Sequence, residues 1–134
     1  MGVYCDTILV KNAVFYAYHG ATQPQIRQGQ RFIIDASVTQ DMSQACEQDT
    51  MAGCLDCGEL YQILEEVTTR RRYHLMQTLA LAIIEEIKAR YPKVKRVTIG
   101  ACKASCVLYR DCCQVPGGGG IVRDRIGVTL TRDF

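Results

Sequence analysis

The stretch QRFIIDASVTQDM, residues 30–42, carries the clearest structural signal in this chain of 134 residues. Its apolar side chains fall on every second position, at Phe32, Ile34, Ala36 and Val38. A period of two is typical of a β-strand that has one face in a core and the other face in solvent. We therefore predict a half-buried strand over residues 30–42, and the neighbouring elements are placed relative to it.

The segment before this strand predicts its partner. DTILVKNAVFYAY, residues 6–18, is rich in β-branched and aromatic residues, which favour a strand, and Asn12 is expected to bend or bulge it. The two runs together indicate a long antiparallel pair. Their connection, YHGATQPQIRQGQ at residues 18–30, is polar but contains no carboxylate. A polar loop between two strands is an ordinary position for a functional site.

Two helices are predicted after this pair, beyond a segment at residues 43–56 that has no firm period and is expected to be a connection. The first helix covers residues 57–68, with Asp56 as N-cap and Glu59 three residues later. The second covers residues 75–90 and ends at Tyr91 and Pro92. Their apolar stripes have helical spacing: Leu60, Ile63, Leu64 and Val67 in the first, and Leu75, Leu79, Ala82, Ile83 and Ile87 in the second.

Two more strands complete the predicted order β-β-α-α-β-β. Residues 94–104 alternate at Val97, Ile99 and Ala101, and residues 121–132 form the last strand. Between them, residues 109–120 are expected to be a flexible loop, because the glycine run at 117–120 lacks the Lys-Ser/Thr of a phosphate loop. We predict one α+β domain over residues 1–134, with two helices on one face of a four-stranded antiparallel sheet. Exposed sheet edges favour an oligomer that closes through them.

Composition excludes several classes of function. Hydrophobic residues make up 48% and charged residues 22%, and the net charge is +2, so we expect a soluble protein without affinity for nucleic acid or membranes. The basic run at residues 70–72 is better explained by a solvated turn than by a phosphate site. The first residues show no secretion signal, and no stretch reaches the roughly 20 apolar residues of a membrane-spanning helix. A cytoplasmic location is the default expectation.

The eight cysteines are expected to be reduced thiols, because the chain is long for a disulfide-stapled protein and has no export signal. Cys54 and Cys57 form a C-x-x-C pair, and four more cysteines lie between residues 102 and 113. Their spacings match no paired zinc knuckle well, and no βαβ pattern surrounds the C-x-x-C pair. We predict no metal, although a zinc or thiol-redox protein stays a distant alternative.

Six segments in this order resemble the dihydroneopterin aldolase family of folate biosynthesis. They are DTILVKN, FYAYHG, GQRFIIDASV, LMQTLALAIIEEI, YPKVKRVTIGACKA and IGVTLTR, which together span nearly the whole chain. The resemblance implies the tunnelling fold, in which four subunits join their sheets into a barrel and two such rings usually stack into an octamer. It also implies pterin sites between subunits.

The resemblance implies a reaction as well. The family cleaves 7,8-dihydroneopterin by a retro-aldol step into 6-hydroxymethyl-7,8-dihydropterin and glycolaldehyde. It needs no cofactor, metal or Schiff base, because the pterin ring accepts the electrons. The protein must transfer protons at the side-chain hydroxyl and the ring, and must anchor the ring.

The resemblance places four polar positions at the site, and three of them depart from the family's pattern. Gln25 stands where the family has a glutamate that touches the substrate's side chain. Cys57 stands where it has a tyrosine that helps proton transfer in a neighbouring subunit's site. Gln77, next to Met76 in the substrate-binding set, stands where a glutamate grips the pterin amino and ring N–H groups. Lys103, which assists acid–base chemistry in the family, is retained.

These substitutions leave three hypotheses. The first is an aldolase of this family with a weakened site, in which Lys103, Cys57 and Gln25 are the catalytic candidates and Gln25, Cys57, Met76 and Gln77 bind the substrate. The second is a non-catalytic or differently specific relative that binds a pterin or purine weakly, or that has a regulatory or structural role. The third is an epimerase that acts on the same side chain. A glutamine cannot act as a base, and it cannot form the bidentate charge-assisted pair of a carboxylate.

Overall fold

The computed structural model describes residues 5–21, 27–51, 53–103 and 126–134, with the backbone alone for residue 126. The strands are β1 (Asp6–Ala17), β2 (Gln30–Gln40), β3 (Arg96–Lys103) and β4 (Ile126–Asp133). The helices are α1 (Ser43–Gln48), α2 (Cys57–Arg70) and α3 (Met76–Arg90).

The sheet has the order β1-β2-β3-β4, and each strand is antiparallel to its neighbour. The predicted alternation of β2 is confirmed, since Phe32, Ile34, Ala36 and Val38 are all buried. The helices α2 and α3 cover this face, where α2 packs on β1 and α3 packs on β3 and β4. The α+β class and the pairing of the first two strands are thereby confirmed.

The predicted irregularity at Asn12 is a β-bulge. The register of β1 against β2 shifts between Val10 and Ala13, and Asn12 has a φ of 60°. Asparagine adopts this left-handed conformation more readily than most residues. The backbone N–H of Asn12 donates to the carboxylate Oδ1 of Asp35 on β2 at 2.7 Å, which supplies the donor with a partner where the ladder is interrupted.

The interpretation of residues 43–56 as a plain connection was wrong, because Ser43–Gln48 forms the short helix α1. Its start is organised by Asp41, whose Oδ1 accepts from the Ser43 backbone N–H at 3.0 Å and from the Ser43 hydroxyl at 2.7 Å. A helix of 6 residues covers less than two turns, so it is too short to produce a recognisable apolar period.

Both long helices begin close to their predicted positions. Asp56 caps α2 as predicted, because its Oδ1 accepts from the Glu59 backbone N–H at 2.7 Å. The apolar stripe of α2 is buried throughout. The prediction that Leu75 belongs to the buried face of α3 was wrong, because Leu75 is the N-cap of that helix and is 54% exposed.

Several predictions fall outside the described residues: the position of Gln25, the loop at 109–120, the start of the last strand at 121–125, and the cysteines beyond residue 103. Within the ranges that are described, no helix has the length and apolar character needed to cross a membrane.

Candidate functional site

Four segments of the chain meet around a cavity of about 200 Å³ at one end of the sheet. Residues 19–21 follow β1, Phe32 is near the start of β2, residues 74–77 form the start of α3, and Lys103 ends β3. The lining residues are His19, Gly20, Ala21, Phe32, His74, Leu75, Met76, Gln77 and Lys103.

The topology explains why these segments meet. In an antiparallel sheet the last residues of β1, the first of β2 and the last of β3 lie at the same end, and Phe32 is paired directly with Lys103. The helix α3 leads into β3 through a short turn, so its N-terminus lies at the end of the sheet where β3 finishes. Gln77 and Lys103 are far apart in sequence and are therefore brought to one cavity.

His19 fixes the chain that leaves β1. The backbone N–H of Tyr73 donates to His19 Nδ1 at 2.9 Å, so the ring proton is on Nε2, which lies 2.7 Å from the Thr68 carbonyl and donates to it. The Gly20 N–H donates back to the Tyr73 carbonyl at 2.9 Å. The imidazole is 1% exposed and packs edge-on against Phe32. Both of its nitrogens are engaged in hydrogen bonds within the chain, so His19 acts as a packing residue.

The far end of the same connection is held by Gly29. Its φ is +70°, and a Cβ at this position would lie 2.7 Å from ring carbons of both Tyr16 and Tyr18. The Tyr16 hydroxyl donates to the Gln28 carbonyl. Glycine is required here for two reasons, the left-handed backbone and the aromatic rings packed against it. Gly29 and the two tyrosine rings therefore fix the backbone conformation directly before β2.

Burial lowers the pKa of His19 below its ordinary value of 6.5, and the hydrogen bond to the Thr68 carbonyl opposes this shift only in part. Below pH 6.5 the unfolded chain takes up a proton that the folded chain does not, so folding becomes less favourable as the pH falls. We expect the contribution of His19 to the free energy of unfolding to be fully present above pH 6.5 and to decrease below it, by at most about 1.4 kcal/mol per pH unit. Urea titrations between about pH 7 and pH 5 measure this slope.

The second of the chain's two histidines, His74, provides the matched control. His19→Gln should lower stability at neutral pH and remove the extra loss in acid, whereas His74→Gln should retain that loss. An unchanged slope in His19→Gln would show that another group causes the pH dependence.

The cavity has an apolar wall and few polar groups that are available to form hydrogen bonds with a ligand. Phe32 and Met76 are apolar lining residues, while the Gln77 amide and the Lys103 ammonium make no side-chain hydrogen bond or ion pair with any residue in the described ranges. The lining residues that the structure describes include no carboxylate. The first turn of α3 has no acidic residue and no side-chain cap, so its backbone N–H groups add to the positive potential.

The other two candidate residues are not part of this cavity as described. Cys57 is exposed at the first position of α2 and is not among the lining residues. Gln25 lies outside the described residues. Cys54 is a free thiol that donates to the Asp41 carbonyl at 3.7 Å, and Cys57 is also free. In the described part of the chain, no three residues among His, Cys, Asp and Glu are grouped in a way that could hold a metal ion.

Six of the nine lining residues were not among the predicted site residues: His19, Gly20, Ala21, Phe32, His74 and Leu75. His74 lies beside the cavity, two residues before α3, and Phe32 contributes to its wall. The position of His74 directly before LMQ was the available signal, because residues that precede a helix commonly line a site at its N-terminus. Phe32 carried no such signal, since its alternation with Ile34 marks it as core.

Comparison with known proteins finds relatives in both sequence and structure. The family model described as dihydroneopterin aldolase matches residues 8–115. A relative named dihydroneopterin aldolase from Methylorubrum extorquens is 33% identical over 100 residues, which cover 75% of this chain and 77% of the relative.

Solved structures share the fold. Escherichia coli dihydroneopterin aldolase in complex with neopterin has a TM-score of 0.74 at 18% identity, covering 95% of this chain and 98% of the other. Dihydroneopterin aldolase from Burkholderia thailendensis bound to guanine has a TM-score of 0.66 at 21% identity, covering 97% of this chain and 92% of the other. At these identities the likeness concerns the fold alone.

Proposed function

Because the chain belongs to the dihydroneopterin aldolase family, we propose that its cavity binds a pterin and that it cleaves 7,8-dihydroneopterin slowly, with a weakened site. The observation that carries the proposal is the meeting of Met76, Gln77 and Lys103 around one cavity. These are the positions at which the family resemblance expects ring anchoring and acid–base chemistry. Two relatives of the same fold are described with neopterin and with guanine.

The proposed reaction needs little from the protein beyond position and proton transfer. The carbon–carbon bond in the side chain breaks as the side-chain hydroxyl loses its proton, and the electron pair passes into the ring, which is then protonated. Glycolaldehyde leaves, and a proton then moves from the ring to the side-chain carbon that remains, which becomes the hydroxymethyl group of the pterin product. Lys103 can hold or release a proton at the edge of the cavity, where no carboxylate of the described lining competes for that role.

The weakness of the site follows from the residue types. The Gln77 amide replaces a charge-assisted pair with neutral hydrogen bonds, which are about half as strong. Gln25 cannot take a proton, and Cys57 does not line the cavity of its own chain as described. We expect ring binding to survive and turnover to be low.

A second candidate function is a non-catalytic pterin or purine binder. It is favoured by the lining of the cavity, which offers few groups for proton transfer. The nitrogens of His19 are already engaged, so the described lining supplies only Lys103 and the exposed His74 for this role. Such a protein would retain the ring without cleaving the side chain.

Product analysis separates the alternatives. Purified protein is incubated with 7,8-dihydroneopterin, and the products are resolved by chromatography. Equal amounts of 6-hydroxymethyl-7,8-dihydropterin and glycolaldehyde are the expected result. An altered configuration of the intact side chain would identify an epimerase, and unchanged substrate that co-purifies with the protein would identify a binder. Both of these outcomes contradict the aldolase proposal.

We further propose a homo-oligomer that joins through the edges of its sheets. The edge strand β1 exposes Leu9, Val14 and Tyr16, each at about half of its area or more. Unpaired strand edges with apolar side chains favour pairing with another chain. Light scattering should give the mass of a tetramer or an octamer, and a mass of 15.0 kDa, that of one chain, would contradict the proposal.

A further inference from the structure

The cavity offers a ligand a specific set of hydrogen-bonding groups. Gln77 presents an amide without a partner among the described residues, and Lys103 presents an ammonium group. The nitrogens of His19 are already taken by Thr68 and Tyr73, so its ring contributes shape alone. The side chains that the described lining offers are therefore one amide, one ammonium group and the exposed imidazole of His74.

An amide and a carboxylate select different edges of a heterocycle. A carboxylate only accepts, so it matches two N–H donors that lie side by side, as in the amino–lactam edge of a pterin or guanine. An amide has one accepting oxygen and one donating nitrogen, so at the same edge it matches a C2 carbonyl next to N3–H, whereas the 2-amino group of a pterin places a donor against the amide N–H. With Gln77 in the cavity, the donor–donor edge has no matching carboxylate among the described lining residues.

The remaining charges favour carbonyl oxygens as well. Lys103 is a donor and never an acceptor while it is protonated. The start of α3 has no acidic side chain in its first turn and no side-chain cap, so its dipole favours electron-rich groups. A ring that carries an additional carbonyl group in place of an amino group supplies an acceptor to these donors.

We propose that the cavity prefers a bicyclic nitrogen ring with two carbonyl groups on its pyrimidine half, the lumazine or xanthine class, over the 2-amino-4-oxo class of pterin and guanine, and that Gln77 determines this preference. The proposal rests on the placement of a ring in this cavity, as given under the proposed function. A volume of about 200 Å³ is below the range of about 300–1,000 Å³ that is usual for larger ligands, and it suits a small bicyclic ring.

The test compares lumazine with pterin, which differ at C2, where an oxo group replaces the amino group and N1 gains a proton. Isothermal titration calorimetry at a pH at which both rings are neutral gives the ratio of their dissociation constants. We expect the unmodified protein to bind lumazine about 10-fold more tightly than pterin, and Gln77→Glu to bind pterin more tightly than lumazine. The control Gln48→Glu, at an exposed glutamine at the end of α1, should keep the ratio of the unmodified protein.

Three results would overturn this inference: tighter binding of pterin by the unmodified protein, a ratio that Gln77→Glu leaves unchanged, or no binding of either ring. Product formation from 7,8-dihydroneopterin is measured independently. Cleavage with an unaltered ratio overturns the inference and leaves the proposed function intact, whereas the expected ratio without cleavage overturns the aldolase activity and leaves the inference intact.

Discussion

The triple variant Gln25→Glu, Cys57→Tyr, Gln77→Glu is expected to release glycolaldehyde from 7,8-dihydroneopterin with a kcat/KM about 10²–10⁴ times that of the unmodified chain. This is the range that a positioned acid or base contributes to a reaction. The carboxylate introduced at position 77 would restore a charge-assisted pair to the ring, and the other two changes would restore groups that take part in proton transfer. Steady-state kinetics measures the gain.

Variants with only some of these changes separate the part of the gain in kcat/KM that comes from tighter substrate binding from the part that comes from proton transfer. Gln77→Glu alone should lower KM for 7,8-dihydroneopterin without restoring kcat, because it strengthens the anchoring of the ring and adds no proton-transfer group at the side chain. Gln48→Glu, which adds the same charge on α1, should change neither constant. If the triple variant binds the substrate and is no faster than the unmodified chain, the assignment of roles to these positions is wrong.

The second large effect is expected at Lys103. In the triple variant, where turnover is easiest to measure, Lys103→Ala should lower kcat about 10²-fold or more, because the described lining of the cavity then contains no lysine to hold a proton. Lys103→Arg should not rescue kcat, since a guanidinium does not release its proton. Rates at saturating substrate measure this effect on kcat.

The exposed Lys93 in the turn before β3 is the matched control, and Lys93→Ala should leave kcat unchanged. A rise in KM with an unchanged kcat in Lys103→Ala would show that Lys103 contributes to binding and not to proton transfer. If Lys103→Ala were as active as its parent, Lys103 would contribute neither to binding nor to proton transfer.

Much of the fold was predictable because the buried apolar residues recur with the period of a strand or of a helix. The alternation at Phe32, Ile34 and Ala36 indicated the buried face of β2, and the capping of α2 by Asp56 was predicted from residue types alone. The helix α1 was missed because its 6 residues are too few to show a period and its start depends on the side chain of Asp41. Leu75 was misplaced because helical spacing does not reveal where a helix begins.

The site was less predictable than the fold. Periodicity cannot show that Gln77 and Lys103 meet, because they lie on different elements and are joined only by the return of α3 into β3. The prediction that Gln77 and Lys103 belong to one site came from the family resemblance. His74 was not predicted, although it lies directly before the start of the helix that carries Met76 and Gln77.

In the proposed function, a pterin-like ring binds at the start of α3, against Met76. The chain has four methionines, so protein labelled with ¹³C at the methionine methyl groups gives a spectrum that is simple to follow, and Met76→Leu assigns the signal of interest. On titration with neopterin we expect the Met76 methyl resonance to shift progressively while those of Met42 and Met51, which do not line the cavity, stay in place. An unmoved Met76 resonance at a concentration that shifts Met42 or Met51 would contradict the account.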